Sequence, residues 1–431
     1  MISLAFYGKS SIKGIYFILG YSLIVYLMGR IIEKYRRHQF CQITLFLIVI
    51  LGYLFVCKYL DFVCRILKTE KTYSVWIPIG ISFITFSAIS YLVDIYKGNA
   101  ECGTITETVL YLVFFPKVIS GPIVLWKDFA PQITRKPVTT DQILKGVNRI
   151  MIGFGKKLIL ADYFGSVVYK IQEQGLTHVD TATVWISVLL YSMQIYFDFS
   201  GYSDIAIGLG KIFGFQFKEN FAFPYRALSI TEFWRRWHIS LGTWFKEYLY
   251  IPLGGNRKGA KRTLLNLGVV FLVTGIWHGA GWNYIAWGCA HGICVIIERC
   301  IKKKTFYKKT PLSVKWFVTF LIVSLGWQTF ALNSFSKTIR VYEKLIGFGV
   351  SENIVFSWRY FASIKTVSLL GVAFLGATLL GSPRLDRIKR PFNSESVCAV
   401  VIKEVGVFAI MFLAVMCMYN TSYSPFIYFQ Y

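Results

Sequence analysis

The sequence predicts an all-α, polytopic integral membrane protein with about nine to eleven transmembrane helices, plus re-entrant or interfacial helices around a central cavity. Of its 431 residues, 55% are hydrophobic and only 16% are charged, which excludes a soluble protein. The mean hydropathy is +0.52. Several separate apolar runs approach the roughly 20 residues that cross a bilayer. Lipid offers no hydrogen bonds to the backbone N–H and C=O groups of an isolated strand, so these runs are predicted to be helices.

Nine clean apolar stretches follow one another along the chain. They lie at about 14–29, 42–60, 74–95, 182–200, 264–280, 282–298, 314–332, 366–381 and 404–420. Two further stretches, 105–125 and 145–161, carry prolines or basic residues within their apolar sequence. These two are predicted to be re-entrant or interfacial.

The segment 201–262 is rich in glycine, charge and aromatic residues, yet it lies between apolar stretches. Exposure of Arg235 or Arg236 to lipid at mid-membrane would cost about 2.5–3.5 kcal/mol for each arginine. The segment is therefore predicted to fold inward and form the wall of a cavity that leads from the cytoplasmic side to His278. The alternative is an interfacial helix that lies flat, with arginines in the headgroups and tryptophans in the acyl boundary.

The net charge is +25, from 47 Lys and Arg against 22 Asp and Glu, and the basic residues lie mostly between apolar stretches. This placement is typical of bilayer anchors, and it does not resemble a nucleic-acid-binding module. If 252–263, 299–313 and 382–403 are cytoplasmic, the stretches 264–280 and 282–298 form a hairpin whose turn faces outward.

No metal motif, phosphate-binding loop or nucleophile elbow occurs in the sequence, and the nine cysteines include no Cys-x-x-Cys pair. The cysteines are therefore interpreted as buried thiols, with neither a disulfide framework nor a metal site. Chemistry in this chain, if present, is predicted to be general-base catalysis by histidine.

His278 ends an apolar stretch in Thr-Gly-Ile-Trp-His-Gly-Ala-Gly-Trp (274–282), where the glycines allow a backbone or a substrate to approach closely. A histidine in this place can act as a base, or it can simply be hydrogen-bonded to a helix end, and the residue alone favours neither reading.

His238 follows two tryptophans in Glu-Phe-Trp-Arg-Arg-Trp-His (232–238). On a helix, Trp234, His238 and Leu241 would share one face, which would place the imidazole beside an aromatic wall. Alternatively, His238 is a hydrogen-bonded polar residue that fixes the position of a buried helix. This structural role is favoured over a direct role in chemistry. For His291 the favoured role is a bridge between the two helices of the hairpin.

Asp198 and Asp204 are six residues apart, so on a regular helix they point to different sides and do not form a carboxylate pair. Each is predicted to be a hydrogen-bond acceptor that lines a cavity, or an ion-pair partner of an arginine.

Three blocks of sequence resemble the membrane-bound O-acyltransferase family. They are Trp-Arg-Arg-Trp-His-Ile-Ser-Leu (234–241), Tyr-Leu-Tyr-Ile-Pro-Leu-Gly-Gly-Asn-Arg (248–257), and Trp-His-Gly-Ala-Gly-Trp (277–282) followed by Trp-Gly-Cys-Ala-His-Gly (287–292). The similarity is closest to the bacterial branch of alginate O-acetyltransferase membrane subunits. Further blocks agree in order at 78–83, 114–123, 196–204 and 425–431.

The resemblance implies one membrane-embedded domain over residues 1–431, with a catalytic core at about 190–300. By this resemblance His278 matches the family's essential histidine and His238 its second, supporting histidine. The residues expected to line or support the site are Trp234, Trp237, Asp198, Trp277 and His291.

The resemblance also implies an activity: an O-acyltransferase, expected to be an O-acetyltransferase, in the bacterial plasma (inner) membrane. It would move an acyl group from a cytoplasmic thioester, acetyl-CoA or an acyl-carrier protein, toward a cell-surface polysaccharide. No permanently bound cofactor is expected. A separate extracytoplasmic transferase or esterase-like protein is the expected partner.

Two alternatives stay open. Within the enzymes, the nearest is D-alanyl transfer to teichoic acid. Outside them, a polytopic transporter could use its histidines to relay protons, although the sequence shows neither an internal repeat nor paired intramembrane carboxylates.

Overall fold

The computed structural model describes residues 2–69, 75–134, 137–332, 334–348, 354–381, 396–419 and 425–427. Within these ranges the regular structure is helical, apart from an isolated bridge between Val179 and Phe356. The helices are α1 (Ile2–Ser10), α2 (Ile12–Lys34), α3 (Gln39–Lys58), α4 (Leu60–Ile66), α5 (Ile81–Tyr96), α6 (Ile105–Val113), α7 (Phe115–Val118), α8 (Trp126–Phe129), α9 (Thr140–Gly155), α10 (Asp162–Gln174), α11 (Thr181–Ile212), α12 (Ile230–Arg236), α13 (Ile239–Phe245), α14 (Gly259–His278), α15 (Trp282–Ile301), α16 (Thr305–Lys309), α17 (Leu312–Ala331), α18 (Phe335–Leu345), α19 (Trp358–Phe361), α20 (Ile364–Ala377) and α21 (Val397–Tyr419). A π-helical turn, Lys156–Ala161, joins α9 to α10.

Seven helices of the described ranges are long and apolar enough to cross a membrane. They are Ile12–Lys34, Arg36–Lys58, Gly259–His278, Trp282–Ile301, Leu312–Ala331, Ile364–Gly381 and Val397–Tyr419. The predicted class, an all-α polytopic membrane protein, is confirmed. The total of nine to eleven transmembrane helices stays a prediction.

The apolar stretch predicted at 74–95 forms a helix only from Ile81. Residues 70–74 lie outside the described ranges, and the residues from 75 to 80 are not helical. Pro78 and Gly80 explain the late start, because Gly80 has a left-handed backbone with φ of +69° immediately before the helix. The prediction of a helix at about 74–95 is therefore wrong for residues 75–80.

The described residues fall into two compact units. The first is formed within Met1–Val147, Ala206–Glu219 and Ser240–Leu253. Its α5 is buried over most of its length. Within this unit the indole of Trp244 stacks on Phe86 with the ring centroids 3.9 Å apart, and its N–H donates to the Phe86 carbonyl. A single domain over residues 1–431 stays a prediction.

The second unit is formed within Asn148–Ile205, Asn220–Ile239 and Gly254–Tyr431. All the predicted site residues belong to this unit. Its core is aromatic, and the indoles of Trp237, Trp287 and Trp327 are almost completely buried there. Such rings bury large apolar areas and also carry polar N–H groups, so a core built from them holds hydrogen-bonding groups in an apolar setting.

Helices α14 and α15 form the predicted hairpin and approach each other closely. A Cβ placed on Gly275 would lie 2.5 Å from the Tyr284 carbonyl oxygen, and one on Gly288 would lie 2.5 Å from the Phe271 carbonyl oxygen. Neither position has room for a methyl group, so these glycines set the distance between the two helix backbones.

We expect Gly275→Ala to destabilise the protein by about 1–3 kcal/mol, because the added methyl group would push the hairpin apart. The matched control is Gly268→Ala on the same helix, where the added Cβ meets the Ile296 side chain at 3.7 Å, an ordinary contact. Thermal denaturation of the purified variants in detergent measures both effects. Equal midpoints for the two variants would show that α14 and α15 do not need this close approach.

Candidate functional site

His278 is the last residue of α14, and α15 begins four residues later at Trp282. The hairpin therefore turns where the sequence predicted. The His278 side chain is only 4% exposed. Its ring contacts three aromatic rings, those of Trp277, Trp287 and Phe330, at centroid distances of 4.8, 5.1 and 5.2 Å. The imidazole is thus held at a helix end inside an aromatic shell.

His238 lies between α12 and α13, not within a helix. Helix α12 ends at Arg236, Trp237 has an extended backbone, and His238 has a left-handed φ of +47°. The hypothesis that Trp234, His238 and Leu241 share a helical face is therefore wrong. A non-glycine residue in this conformation is uncommon and persists where its surroundings hold it.

Asn220 fixes the position of His238 through its side chain and through its backbone. Its Nδ2 donates to the Ser203 hydroxyl oxygen at 3.1 Å, and its Oδ1 lies 3.2 Å from Nδ1 of His238. Its backbone carbonyl accepts the N–H of Ile239 at 3.0 Å, which fixes the turn directly after the histidine. Because the amide oxygen faces the ring, Nδ1 of His238 carries the proton and Nε2 has the lone pair.

Burial controls the protonation of His238, which is 2% exposed and lies outside the seven candidate spans. Loss of hydration lowers the pKa of His238 to about 3, so the imidazole is neutral across the physiological range. The Phe199 ring packs edge-on against it, with the centroids 4.7 Å apart.

The structure brings three predicted site residues into one aromatic cluster. Trp234 contacts His291 at a centroid distance of 5.1 Å, and Trp287 contacts His291 at 5.3 Å and His278 at 5.1 Å. These contacts join His291 of α15 to α12, because Trp234 belongs to α12. The bridge between the two helices of the hairpin stays a prediction. Sequence analysis did not single out Trp287, which completes this cluster.

Trp237 reaches the same cluster through Trp327. The Trp237 and Trp327 rings are 4.7 Å apart, and Trp327 stacks on Trp287 at 5.9 Å. Trp237 is buried in the core of its unit. Trp237 is therefore not in the acyl boundary, where the alternative of a flat interfacial helix would place it. The position of α12 relative to the bilayer stays a prediction. That these rings line a cavity stays a prediction.

Asp198 belongs to a buried ionic cluster. Nζ of Lys157 lies 2.7 Å from Oδ1 of Asp198 and 2.7 Å from Oδ1 of Asp162. The backbone N–H of Ile427 donates to the second oxygen of Asp198 at 2.8 Å, and the carbonyl of Pro425 accepts from Lys157 at 3.3 Å. Asp198 therefore ties the C-terminal segment to α11, with a lysine as its ionic partner.

Asp204 has the arginine partner that the sequence analysis predicted for such residues. Its Oδ1 accepts from Arg149 at 2.8 Å and its Oδ2 from Lys156 at 2.6 Å. The basic residues that interrupt the apolar stretch 145–161 are thus largely paired with carboxylates of α11 and α10. These basic residues lie on a continuous helical segment, formed by α9 and the π-helical turn that follows it.

The family model for membrane-bound O-acyltransferases matches residues 104–335. The probable alginate O-acetylase AlgI of Pseudomonas putida is 37% identical over 370 residues, which cover 83% of this chain and 76% of that protein. The chain belongs to the membrane-bound O-acyltransferase family. The family membership that the sequence motifs indicated is confirmed, and so is the prediction of a multi-pass membrane protein.

Two further relatives are informative. A peptidoglycan O-acetyltransferase of Helicobacter pylori is 33% identical over 395 residues, covering 81% of this chain and 74% of that protein. A teichoic acid D-alanyltransferase of Streptococcus thermophilus is 32% identical over 285 residues, covering 59% of this chain and 68% of that protein. The expectation of an O-acyltransferase is therefore confirmed for this family member at the level of reaction class.

The family match includes both histidines of the predicted site, His238 and His278. It also includes Asn220 and Lys157, which sequence analysis missed. Their partners lie 18 and 41 residues away along the chain, at His238 and Asp198. Such a distance carries no periodic signal, so only the fold reveals these pairs. The roles of the individual residues stay predictions.

Proposed function

We propose that the protein is an O-acetyltransferase in which His278 is the general base. The observation that carries this proposal is the place of His278: a buried imidazole at the end of a membrane-crossing helix, in a chain of an O-acyltransferase family. The imidazole removes the proton of an acceptor hydroxyl as the hydroxyl oxygen attacks the carbonyl carbon of an acyl thioester.

The helix itself assists this step. His278 terminates the 20-residue helix α14, where the backbone carbonyls carry a partial negative charge. An imidazolium that forms at this end is stabilised, by about 0.3–1 kcal/mol at exposed sites and up to about 2 kcal/mol in partly buried ones. The aromatic shell excludes water, which protects the acyl group from hydrolysis.

The donor in this proposal is a cytoplasmic acyl thioester, acetyl-CoA or an acyl-carrier protein. The acceptor is a hydroxyl of a cell-surface polysaccharide, reached through a separate extracytoplasmic transferase or esterase-like protein. The names of the Pseudomonas and Helicobacter relatives support acetyl as the acyl group and a polysaccharide as the destination. The bacterial plasma membrane is the location that fits a cytoplasmic donor and an external acceptor.

A second candidate is D-alanyl transfer to teichoic acid, favoured by the Streptococcus relative. That relative matches 59% of this chain, whereas the alginate O-acetylase matches 83%. Acetyl transfer is therefore preferred. Purified protein offered a labelled acetyl thioester and a labelled D-alanyl thioester separates the two. We expect the acetyl label to move to the acceptor, and preferential movement of D-alanine would replace acetyl transfer by the second candidate.

His238 is proposed to support the reaction as a neutral hydrogen-bond acceptor through Nε2, with Asn220 holding its orientation. We expect Asn220→Asp to shift the pH dependence of transfer. The carboxylate would raise the pKa of His238 from about 3 toward its ordinary value, so the ring would become protonated as the pH falls. The ratio of activity at pH 6 to activity at pH 8 should fall several-fold relative to the wild type.

The control is the double variant Asn220→Asp, His238→Gln, in which no imidazole can titrate at this position. The double variant should show low activity with the wild-type pH dependence. An unchanged pH profile in Asn220→Asp alone would remove His238 from the supporting role.

A further inference from the structure

Three aromatic side chains in the cluster around His278, two of them buried and one partly buried, carry buried ring nitrogens that the proposed mechanism has not yet used. They are Trp234, Trp287 and His291. Each ring contacts the other two: the Trp234 and Trp287 centroids are 5.5 Å apart, and His291 lies 5.1 and 5.3 Å from them. They come from two helices, α12 and α15.

No hydrogen-bond partner among the described residues reaches Nε1 of Trp234, Nε1 of Trp287 or either ring nitrogen of His291. Other indoles of this protein donate to backbone carbonyls. Trp185 donates its N–H to the Leu345 carbonyl at 3.1 Å, and Trp316 donates to the Tyr225 carbonyl at 2.9 Å. A buried donor without an acceptor is energetically costly, and its presence suggests a ligand that satisfies it.

The cluster lies directly beside the proposed base, because the Trp287 ring contacts the His278 ring at 5.1 Å. Gly326 of α17 leaves room for the His291 ring, since a Cβ on residue 326 would lie 2.5 Å from Nε2 of His291. One helical turn away along α12 and α15, Ile230 and Cys294 line a cavity of about 300 Å³. This cavity is lined by neighbours of the cluster and not by the three rings themselves.

We propose that Trp234, Trp287 and His291 donate hydrogen bonds to the carbonyl oxygen of the acyl group during transfer. This inference rests on the proposed function and adds the electrophilic half of the site to it. The two indoles can only donate, and a neutral imidazole supplies one N–H, so the site matches an oxygen that gains negative charge. Donors of this kind act strongly when they are fixed in a dry environment before the reaction.

The chemistry balances without a further reagent. The hydroxyl oxygen of the acceptor forms a bond to the carbonyl carbon, its proton moves to His278, and the carbonyl electron pair moves onto oxygen. That oxyanion accepts hydrogen bonds from the N–H groups of Trp287, Trp234 and His291. The carbonyl then re-forms, the carbon–sulfur bond breaks, and the leaving thiolate takes the proton from His278. The products are an ester and a thiol.

Replacement of a tryptophan by phenylalanine tests the N–H while it keeps an aromatic ring. We expect Trp287→Phe to lower kcat by about 10²–10³-fold, with a KM for the thioester donor that changes only a few-fold. Trp234→Phe should act in the same direction. The control is Trp185→Phe, whose N–H is satisfied within the protein and whose kcat should stay within about threefold of the wild type.

A wild-type kcat in both Trp287→Phe and Trp234→Phe overturns the inference while the proposed function stands. A loss of kcat in Trp185→Phe as large as in Trp287→Phe also overturns it, because the loss then follows from disturbed packing and not from the missing N–H. Because the smaller ring leaves a cavity in the core, the thermal midpoint of each variant is measured to establish that it remains folded. Absence of acyl transfer by the wild type overturns the proposed function itself, and with it the inference that rests on it.

Discussion

The variant His278→Ala is expected to lose acyl transfer by a factor of about 10²–10⁴ while it remains folded and inserted in the membrane. The alanine cannot take the proton of the acceptor hydroxyl, and no water of comparable basicity replaces a fixed imidazole. Turnover of a labelled acyl thioester by the purified variant measures the loss. Size-exclusion chromatography and the thermal midpoint establish that the fold is intact.

The matched control for this experiment is His178→Ala. His178 is exposed, and its ring contacts the carbonyl of Gln174 in a turn before α11. This variant should retain wild-type turnover. If His278→Ala keeps more than about a tenth of wild-type turnover at equal protein concentration, far above the range expected for loss of a general base, then another group accepts the proton and the assignment of the base is wrong.

The variant Lys157→Met is expected to destabilise the protein by about 3–5 kcal/mol. Lys157 is only 5% exposed and is the ion-pair partner of two carboxylates, those of Asp162 and Asp198, which are 9% and 2% exposed. Without the lysine, these two negative charges remain together in a medium of low polarity. The loss should also release the segment at Pro425–Ile427, whose backbone bonds to Asp198 and Lys157. Chemical denaturation in detergent measures the change in unfolding free energy.

Lys145→Met provides the control for charge loss alone. Lys145 also pairs with an aspartate, Asp141 at 2.7 Å, but both side chains are more than half exposed. An exposed pair of this type contributes about 0–1 kcal/mol, so the control should lie close to the wild type. Equal stability of Lys157→Met and Lys145→Met would show that the buried cluster does not hold the second unit together.

Much of the fold was predictable because lipid imposes helices of a fixed length. The stretches 264–280 and 282–298 correspond to Gly259–His278 and Trp282–Ile301, and the turn between them lies where the glycines indicated. Hydropathy locates an apolar run, but it does not locate the residue where a helix begins. The wrong start at 74–95 has this cause, since Gly80 and Pro78 delay the helix to Ile81.

The candidate site was predictable in its residues and only partly in its geometry. His278 was placed correctly at a helix end, whereas His238 was placed on a helix that in fact ends at Arg236. Nothing local in the sequence Arg-Arg-Trp-His indicates a left-handed residue, because the turn is fixed from outside by Asn220. Long-range hydrogen bonds of this kind leave no pattern along the chain.

Charges inside apolar stretches were interpreted as signs of an interfacial segment. The basic residues of 145–161 instead find acidic partners: Lys157 pairs with Asp162 and Asp198, and Lys156 with Asp204. The spacing of a single helix cannot show which charges a neighbouring helix offers. For the same reason the sequence did not single out Trp287, because only the fold shows its contacts with His278 and His291.

Acetyl transfer by the purified protein tests the central claim most directly. Wild-type protein in detergent or nanodiscs would receive labelled acetyl-CoA and a soluble polysaccharide, with and without an extracytoplasmic partner, and base-labile label on the polysaccharide or the partner would be counted. We predict a protein-dependent ester product that is absent when His278 is replaced by alanine. Label that stays on the thioester or appears only as free acetate, with acetyl and D-alanyl donors alike, would contradict the account.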